Sequence, residues 1–362
     1  MTDDLSTLDL ASVVNLEGFE ALARERLAVP AFDYVAGGAW DEITLTEAVE
    51  AWRRRRFIPR VLRALDGIDP GGSFLGRPSA LPVAVAPMAV QGLAHPGGEA
   101  ELFAGAAAAG IPYCLSTTSS LPLEEVAAAA PDAERWFQLY VVGGLTESRR
   151  LVERAEAAGY RVLVVTVDLP ILGRRERDQR SGFVLPALPH IDALEGERDL
   201  RYGGIEDQWR HGLTWDSIAD IRTWSSMPLV VKGILAPDDA RRAVDAGVDA
   251  LVVSTHGGRQ LDRVIASADA LAPIVEAVAG RCEVWADGGI RRGLDVLTAI
   301  ALGATGVLVG RPFYWALAAG GRAGVEHAAA LLHRELELAL ALLGCSSIAD
   351  VGPELLAGGR AP

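Results

Sequence analysis

From Leu81 onward, short apolar runs alternate with longer alanine-rich stretches. The runs lie at Val83–Ala86, Tyr113–Ser116, Trp136–Leu139, Val162–Val167, Leu229–Val231, Leu251–Ser254, Val284–Ala286 and Val307–Val309. They are continuously apolar rather than alternating, which predicts strands buried on both faces. Helical stretches separate them: Glu99–Ala109, Leu123–Ala129, Thr146–Ala158, Trp215–Trp224, Pro237–Ala246, Ala268–Ala279, Leu294–Leu302, then closing helices. Ala109-Gly110, Ala158-Gly159, Ala246-Gly247 and Leu302-Gly303 end four of them, and glycine after a last turn closes a helix. Eight such strand–helix units predict an α/β fold, a closed (β/α)8 TIM barrel.

Two segments break the rhythm. Residues 1–80 read as an N-terminal extension, with helices near Leu16–Leu27 and Leu45–Arg55. Leu169 to Leu213 is too long for an ordinary strand-to-helix loop and reads as a lid or a disordered insert. No linker composition interrupts the chain. The expectation is one domain over 1–362, with the barrel at 81–345 and a tail at 346–362.

Composition narrows the function classes. Half of the 362 residues are hydrophobic, enough for a large core, and the formal charge is −14. That balance argues against nucleic acid or an anionic membrane as partner. The basic run Arg53–Arg56, flanked by Trp52 and Phe57, reads as a helix end or a salt-bridged surface. Cys114, Cys282 and Cys345 are too scattered for a zinc site or a disulfide framework, which suggests a reduced, cytoplasmic protein with no metal. Met1-Thr2-Asp3-Asp4 lacks a signal-peptide pattern, and no apolar run reaches membrane-spanning length.

In such a barrel, chemistry collects where strands end at their C-terminal side. The polar residues there are Gln91 beyond Pro87, Met88 and Ala89; Ser116 and Thr117; Gln138 and Tyr140; Thr166 and Asp168, with Arg174 and Arg175 beyond. Later strands add Lys232, then Ser254, His256 and Arg259, then Asp287, Gly288 and Arg291, then Gly310 and Arg311. His256 is a proton acceptor near neutral pH and Arg259 a bidentate carboxylate holder. The alternative is a solvated loop with a capping histidine. Lys232, closing an apolar strand, is either a Schiff-base nucleophile or a cation set against developing negative charge. The glycine-arginine turns after the last two strands suggest a phosphate site.

Ser254-Thr255-His256-Gly257-Gly258-Arg259-Gln260-Leu261-Asp262 resembles the signature of the FMN-dependent 2-hydroxy-acid oxidases and dehydrogenases, the group of glycolate, lactate and mandelate oxidases. Supporting matches are Ala86-Pro87-Met88-Ala89, Gln138-Leu139-Tyr140, Thr166-Val167-Asp168, Gly173-Arg174-Arg175-Glu176, Val231-Lys232-Gly233, Asp287-Gly288-Gly289 and Gly310-Arg311. The resemblance implies FMN as cofactor, His256 as base and Asp168 as its partner. It implies Arg259, Arg175 and Tyr34 as carboxylate holders, Tyr140 at the substrate hydroxyl or carboxylate, and Lys232 beside the flavin N1–C2 carbonyl. Ser116, Gln138, Thr166 and Ser254 would bind the ring and ribityl chain, with Pro87, Met88 and Ala89 on the ring edge. Asp287, Gly288, Arg291, Gly310 and Arg311 would hold the ribityl end and phosphate. The implied partners are a 2-hydroxy acid and O2 or another electron acceptor, in a homotetramer or octamer.

Thr255 departs from the family pattern, which carries Asn there. Thr118 stands where glycolate oxidase has a large aromatic, and with Ala89 and Leu172 it suggests room for a bulky aryl acid of the mandelate kind. The loop from Arg177 to Leu213 is shorter than in glycolate oxidase. Two rival readings are an FMN barrel of the isopentenyl-diphosphate isomerase type and a non-catalytic flavin-binding scaffold. The first has no need of the His256–Arg259 pair with Tyr34, and the second has no need of the full polar rim.

Overall fold

The computed structural model describes residues 10–142, 144–192 and 213–358. A two-stranded hairpin, β1 (Gly72–Phe74) and β2 (Arg77–Ser79), precedes the barrel. The barrel strands are β3 (Val83–Val85), β4 (Tyr113–Ser116), β5 (Arg135–Leu139), β6 (Leu163–Thr166), β7 (Leu229–Ile234), β8 (Ala250–Val253), β9 (Glu283–Asp287) and β10 (Gly306–Val309). They close in chain order, every pair parallel, with β10 returning to β3 through Val307 beside Val83. The expected TIM barrel is therefore the observed one.

Alternation along the strands makes two cores. Val83, Val85, Leu115, Phe137, Val165, Val231 and Leu251 face the helices. Ala84, Cys114, Trp136, Val164, Val230, Val252, Trp285 and Leu308 fill the lumen. The hairpin plugs the lumen's lower end. Phe74 meets Trp136 and Trp285 edge-on, at 5.2 and 5.1 Å between centroids, while the two indoles stack at 4.9 Å. Phe74→Leu keeps the plug apolar but loses both edge contacts. The expected cost is about 1 kcal/mol, read as a lower urea midpoint at unchanged slope.

Among its described residues the N-terminal extension holds three α-helices rather than the two helices expected: α1 (Gly18–Arg26), α2 (Val29–Ala36) and α3 (Ile43–Arg53). α2 is eight residues long and Asp33 is its only charged residue, so the sequence marks no polar face on it; Pro30 near its start is the legible signal. The basic run after α3 is a salt-bridged surface, with Arg53 on Glu17 and both Arg54 and Arg55 on Asp269. The C-terminal tail returns to the extension through bridges Asp69–Ser347 and Phe57–Leu356.

Around the barrel run α4 (Gly98–Ala108), α5 (Leu123–Ala129) and α6 (Leu145–Ala157). The stretch after β6 is not a bare insert: it folds α7 (Glu176–Ser181) and α8 (Pro189–Asp192), and 193–212 lie outside the described residues. His190 pins α8 to the barrel, its Nε2 accepting from the Leu123 amide at 2.9 Å and its Nδ1 lying 3.1 Å from the Thr117 carbonyl. Burial holds this imidazole down at about 4, so it is neutral. Then come α9 (Trp215–Arg222), α10 (Pro237–Asp245), α11 (Ser267–Val278), α12 (Gly293–Ala301) and α13 (Arg311–Leu343), the last broken at Gly320 and Gly321. Among the described residues no helix is long and apolar enough to cross a membrane.

Candidate active site

A two-residue step up each strand from the apolar lumen layer reaches Ala86, Ser116, Gln138, Thr166, Lys232, Ser254, Asp287 and Gly310. Apart from Ala86 and Gly310, this next layer is polar throughout. It is also bonded internally. Gln138 accepts from Ser116 at 3.1 Å and donates to Thr166 at 3.0 Å. Lys232 Nζ donates to Ser254 Oγ at 2.9 Å and pairs with Asp287 Oδ2 at 3.1 Å. Burial works against the Lys232 charge, but Asp287 and Asp168 more than offset it, so the ammonium persists. Lys232 is the only lysine in the chain, against 33 arginines.

Above this layer sits His256. His256 follows β8 in a short turn with φ +54°, a left-handed conformation that costs about 1–2 kcal/mol for a side-chain-bearing residue. The turn is held by the His256 amide donating to Ser254 Oγ at 3.0 Å. The imidazole Nδ1 lies 2.8 Å from Asp168 Oδ1, and Nε2 lies 3.2 Å from the Tyr140 hydroxyl. A carboxylate can only accept, so Nδ1 carries the proton and Nε2 is the basic nitrogen. Burial lowers the His256 pKa against the opposing pull of Asp168. Burial also opposes the Asp168 charge, but His256 and Lys232 outweigh it and keep the carboxylate below its usual range. Asp168 can approach because Gly233, at φ +115°, carries no Cβ; one there would lie 2.6 Å from the Asp168 Cβ.

Two arginines share the wall beside His256. Arg259 lies over the Tyr34 ring at 4.8 Å and donates to the Tyr34 and Gly37 carbonyls. Arg175, 6% exposed, donates from Nε to the Arg259 carbonyl at 3.4 Å. Burial and then Arg259 bring the Arg175 pKa down to about 10, still a cation at neutral pH. Two such cations in one cavity favour an anionic ligand, and their planar forks suit a carboxylate.

The same cavity holds a second cationic corner, where Arg311 adjoins Arg259 at the Gly37 carbonyl. Arg291 and Arg311 flank the turns Gly288-Gly289 and Gly310. Trp52 braces the first of these turns by donating to the Gly288 carbonyl at 2.7 Å. Arg311 uses three of its five donors on protein carbonyls, leaving two among the described residues. Asp287 Oδ1 is buried without a partner among the described residues. A phosphate on the arginines and a polyol hydroxyl on Asp287 would complete this corner, so the set fits FMN.

One cavity takes in most of the residues singled out from the sequence: Tyr34, Pro87 to Ala89, Ser116, Tyr140, Thr166, Arg175, Lys232, His256, Arg259, Asp287, Gly288, Arg291, Gly310 and Arg311. Gln138, Ser254 and Asp168 do not line it but are bonded to residues that do. Thr255 turns its hydroxyl toward the Gly288 turn, where it finds no partner among the described residues. Asp178, Phe183, Leu185 and Tyr314 also wall the cavity and were not foreseen. The first three lie on or just beyond α7, where no sequence rhythm points inward. Phe183 stacks on Tyr34 at 4.2 Å between ring centroids, which joins that segment to the extension.

The family model of FMN-dependent dehydrogenases matches residues 23–358. The chain is 47% identical to L-lactate oxidase of Nostoc sp. over 96% of this chain and 99% of the relative. It is 46% identical to 4-hydroxymandelate oxidase of Amycolatopsis orientalis over 92% of this chain and 96% of the relative. A crystal structure of mandelate oxidase superposes with TM-score 0.87 at 45% identity, covering 95% of this chain and 98% of that one. Matched along nearly its whole length, the chain belongs to the FMN-dependent dehydrogenase family, among the 2-hydroxy-acid oxidases.

Proposed function

We propose that the enzyme oxidises an aryl (S)-2-hydroxy acid of the mandelate kind to the 2-oxo acid, with O2 as terminal acceptor and H2O2 as product. The observation that carries this reading is the cavity wall beside His256 and the arginine pair. Ala89, Thr118, Leu169, Leu172, Phe183 and Leu185 line it, an apolar surface suited to a phenyl group. The Thr118 hydroxyl is occupied 2.9 Å from Ser116 Oγ, so its methyl is free to face the cavity.

In this reading Arg259 and Arg175 take the substrate carboxylate, with Tyr34 beside them. The Tyr140 hydroxyl orients the substrate hydroxyl toward His256. His256 Nε2 accepts a proton from the reacting carbinol, and Asp168 stabilises the imidazolium that forms. Ser116, Gln138, Thr166 and Ser254 would support the flavin ring, with the backbone of Pro87, Met88 and Ala89 and the Lys232 ammonium beside it. Asp287, Gly288, Arg291, Gly310 and Arg311 hold the ribityl end and phosphate. FMN, when bound, supplies the acceptor for the electron pair. Phe183, Leu185 and Tyr34 exclude water from the reacting centre.

Anaerobic flavin bleaching with (S)- and (R)-mandelate, L-lactate and glycolate tests the assignment. (S)-Mandelate is expected to give the highest kcat/KM, by about tenfold or more over lactate, because the apolar wall is filled only by an aryl group. Aerobically, one H2O2 should appear per 2-oxo acid. Faster bleaching by lactate or glycolate would remove the aryl assignment, and bleaching without peroxide would remove O2 as acceptor.

A further inference from the structure

Helix α2 ends at Ala36, and a helix C-terminus leaves carbonyl groups without intrahelical partners. Here two arginines take them. Arg259 Nη1 donates to the Tyr34 carbonyl and, at 3.1 Å, to that of Gly37. Arg311 donates from Nε to the Val35 carbonyl at 2.8 Å and from Nη2 to the same Gly37 carbonyl at 2.9 Å. Its remaining terminal nitrogen donates to Gly257 at 2.9 Å, in the turn that carries His256. One guanidinium is assigned above to the substrate carboxylate and the other to the cofactor phosphate. They share one acceptor and one helix end, whose partial negative charge suits both.

We propose that the α2 C-terminus, Tyr34 to Gly37, is a positioning element that couples the phosphate-binding corner to the substrate clamp through Arg311 and Arg259. The inference rests on the roles assigned to those two arginines in the preceding reading. The Val35, Gly37 and Gly257 carbonyls seat Arg311, and the Tyr34 and Gly37 carbonyls seat Arg259 over the Tyr34 ring, so the Gly37 carbonyl is the acceptor they share. A change in one guanidinium therefore moves the seat of the other. The close approach at Gly257 strengthens the link: a Cβ there would lie 2.9 Å from Arg311 Nη1, at φ +63°. Arg259 also acts on Arg311 through its charge, so a variant that keeps the charge but loses the fork separates that effect from the shared seat.

The test compares equilibrium binding of FMN and of riboflavin to the flavin-free protein, followed by flavin fluorescence, in the wild type, Arg259→Met and Arg259→Lys. Arg259→Met is expected to reduce the preference for FMN over riboflavin by about fivefold or more, the range of ordinary site–site coupling, while riboflavin affinity stays unchanged. Arg259→Lys keeps the positive charge and with it the fold. A single ammonium cannot reproduce the fork across two carbonyls and the ring, so a smaller loss of the same preference is expected. Equal losses for both flavins, or no change in either variant, would overturn the coupling. A wild type that binds riboflavin as tightly as FMN would instead remove the phosphate role of Arg311, and the proposal with it.

Discussion

His256→Ala is expected to bind FMN and fail to reduce it. The imidazole Nε2 is the basic nitrogen facing the cavity, and Nδ1 is committed to Asp168 at 2.8 Å. Removing a positioned base costs on the order of 10²–10⁴-fold in the chemical step. The cofactor contacts assigned above come from other side chains, so the flavin spectrum of the oxidised variant should persist. The check is stopped-flow anaerobic reduction by the best substrate of the panel; a rate within tenfold of wild type would exclude His256 as base. The pH dependence carries the same argument with a definite sign. His256 must be neutral to accept a proton, and burial sets its pKa below the ordinary histidine value of 6.5. The acid limb of kcat/KM is therefore expected below that pH, with activity falling as the imidazole becomes protonated. Asp168 raises the His256 pKa, so Asp168→Asn should move the limb to still lower pH. It should also slow reduction by on the order of 10²-fold, because the imidazolium loses its counter-charge.

The barrel was legible in the sequence because its strands are buried on both faces and glycines punctuate its helices. Leu123–Ala129 is observed with the boundaries expected of it, and α10 and α12 differ by a residue at one or both ends. The misses have physical causes. β9 extends past the apolar run to Glu283 and Asp287, because Glu283 accepts from Leu75 and Trp285 and Asp287 pairs with Lys232. Charged ends look like loop residues until their partners are known. β1 and β2 have three residues each, too short for any period to show. Of the site, the strand-borne residues were readable because the mouth of a barrel is a fixed place. Residues of α7 and beyond, Asp178 and Phe183 among them, reach the cavity only through tertiary packing on α2, which spacing along the chain does not encode. Thr255 stood out as a departure from the family pattern, but only the folded chain shows that its hydroxyl faces the Gly288 turn.

Lys232→Met should destabilise the flavin-free protein by about 3–5 kcal/mol, the usual cost of removing one member of a buried ion pair. Lys232 and Asp287 are respectively 4% and 6% exposed, with Nζ and Oδ2 3.1 Å apart. Methionine matches the stem of lysine closely enough that little packing is lost. The cost falls on Asp287, whose other oxygen already lacks a partner among the described residues. Ser254 also loses its donor, and Ser254 Oγ holds the His256 amide, so the strained turn loosens with it. Asp287→Asn added to Lys232→Met removes the stranded charge. If the penalty is electrostatic, the double variant should be more stable than Lys232→Met alone; if it is a packing defect, the second change should add to the first. Urea unfolding of the wild type, both single variants and the double variant at neutral pH separates the two. A Lys232→Met midpoint matching the wild type would mean that the ion pair contributes nothing net to stability.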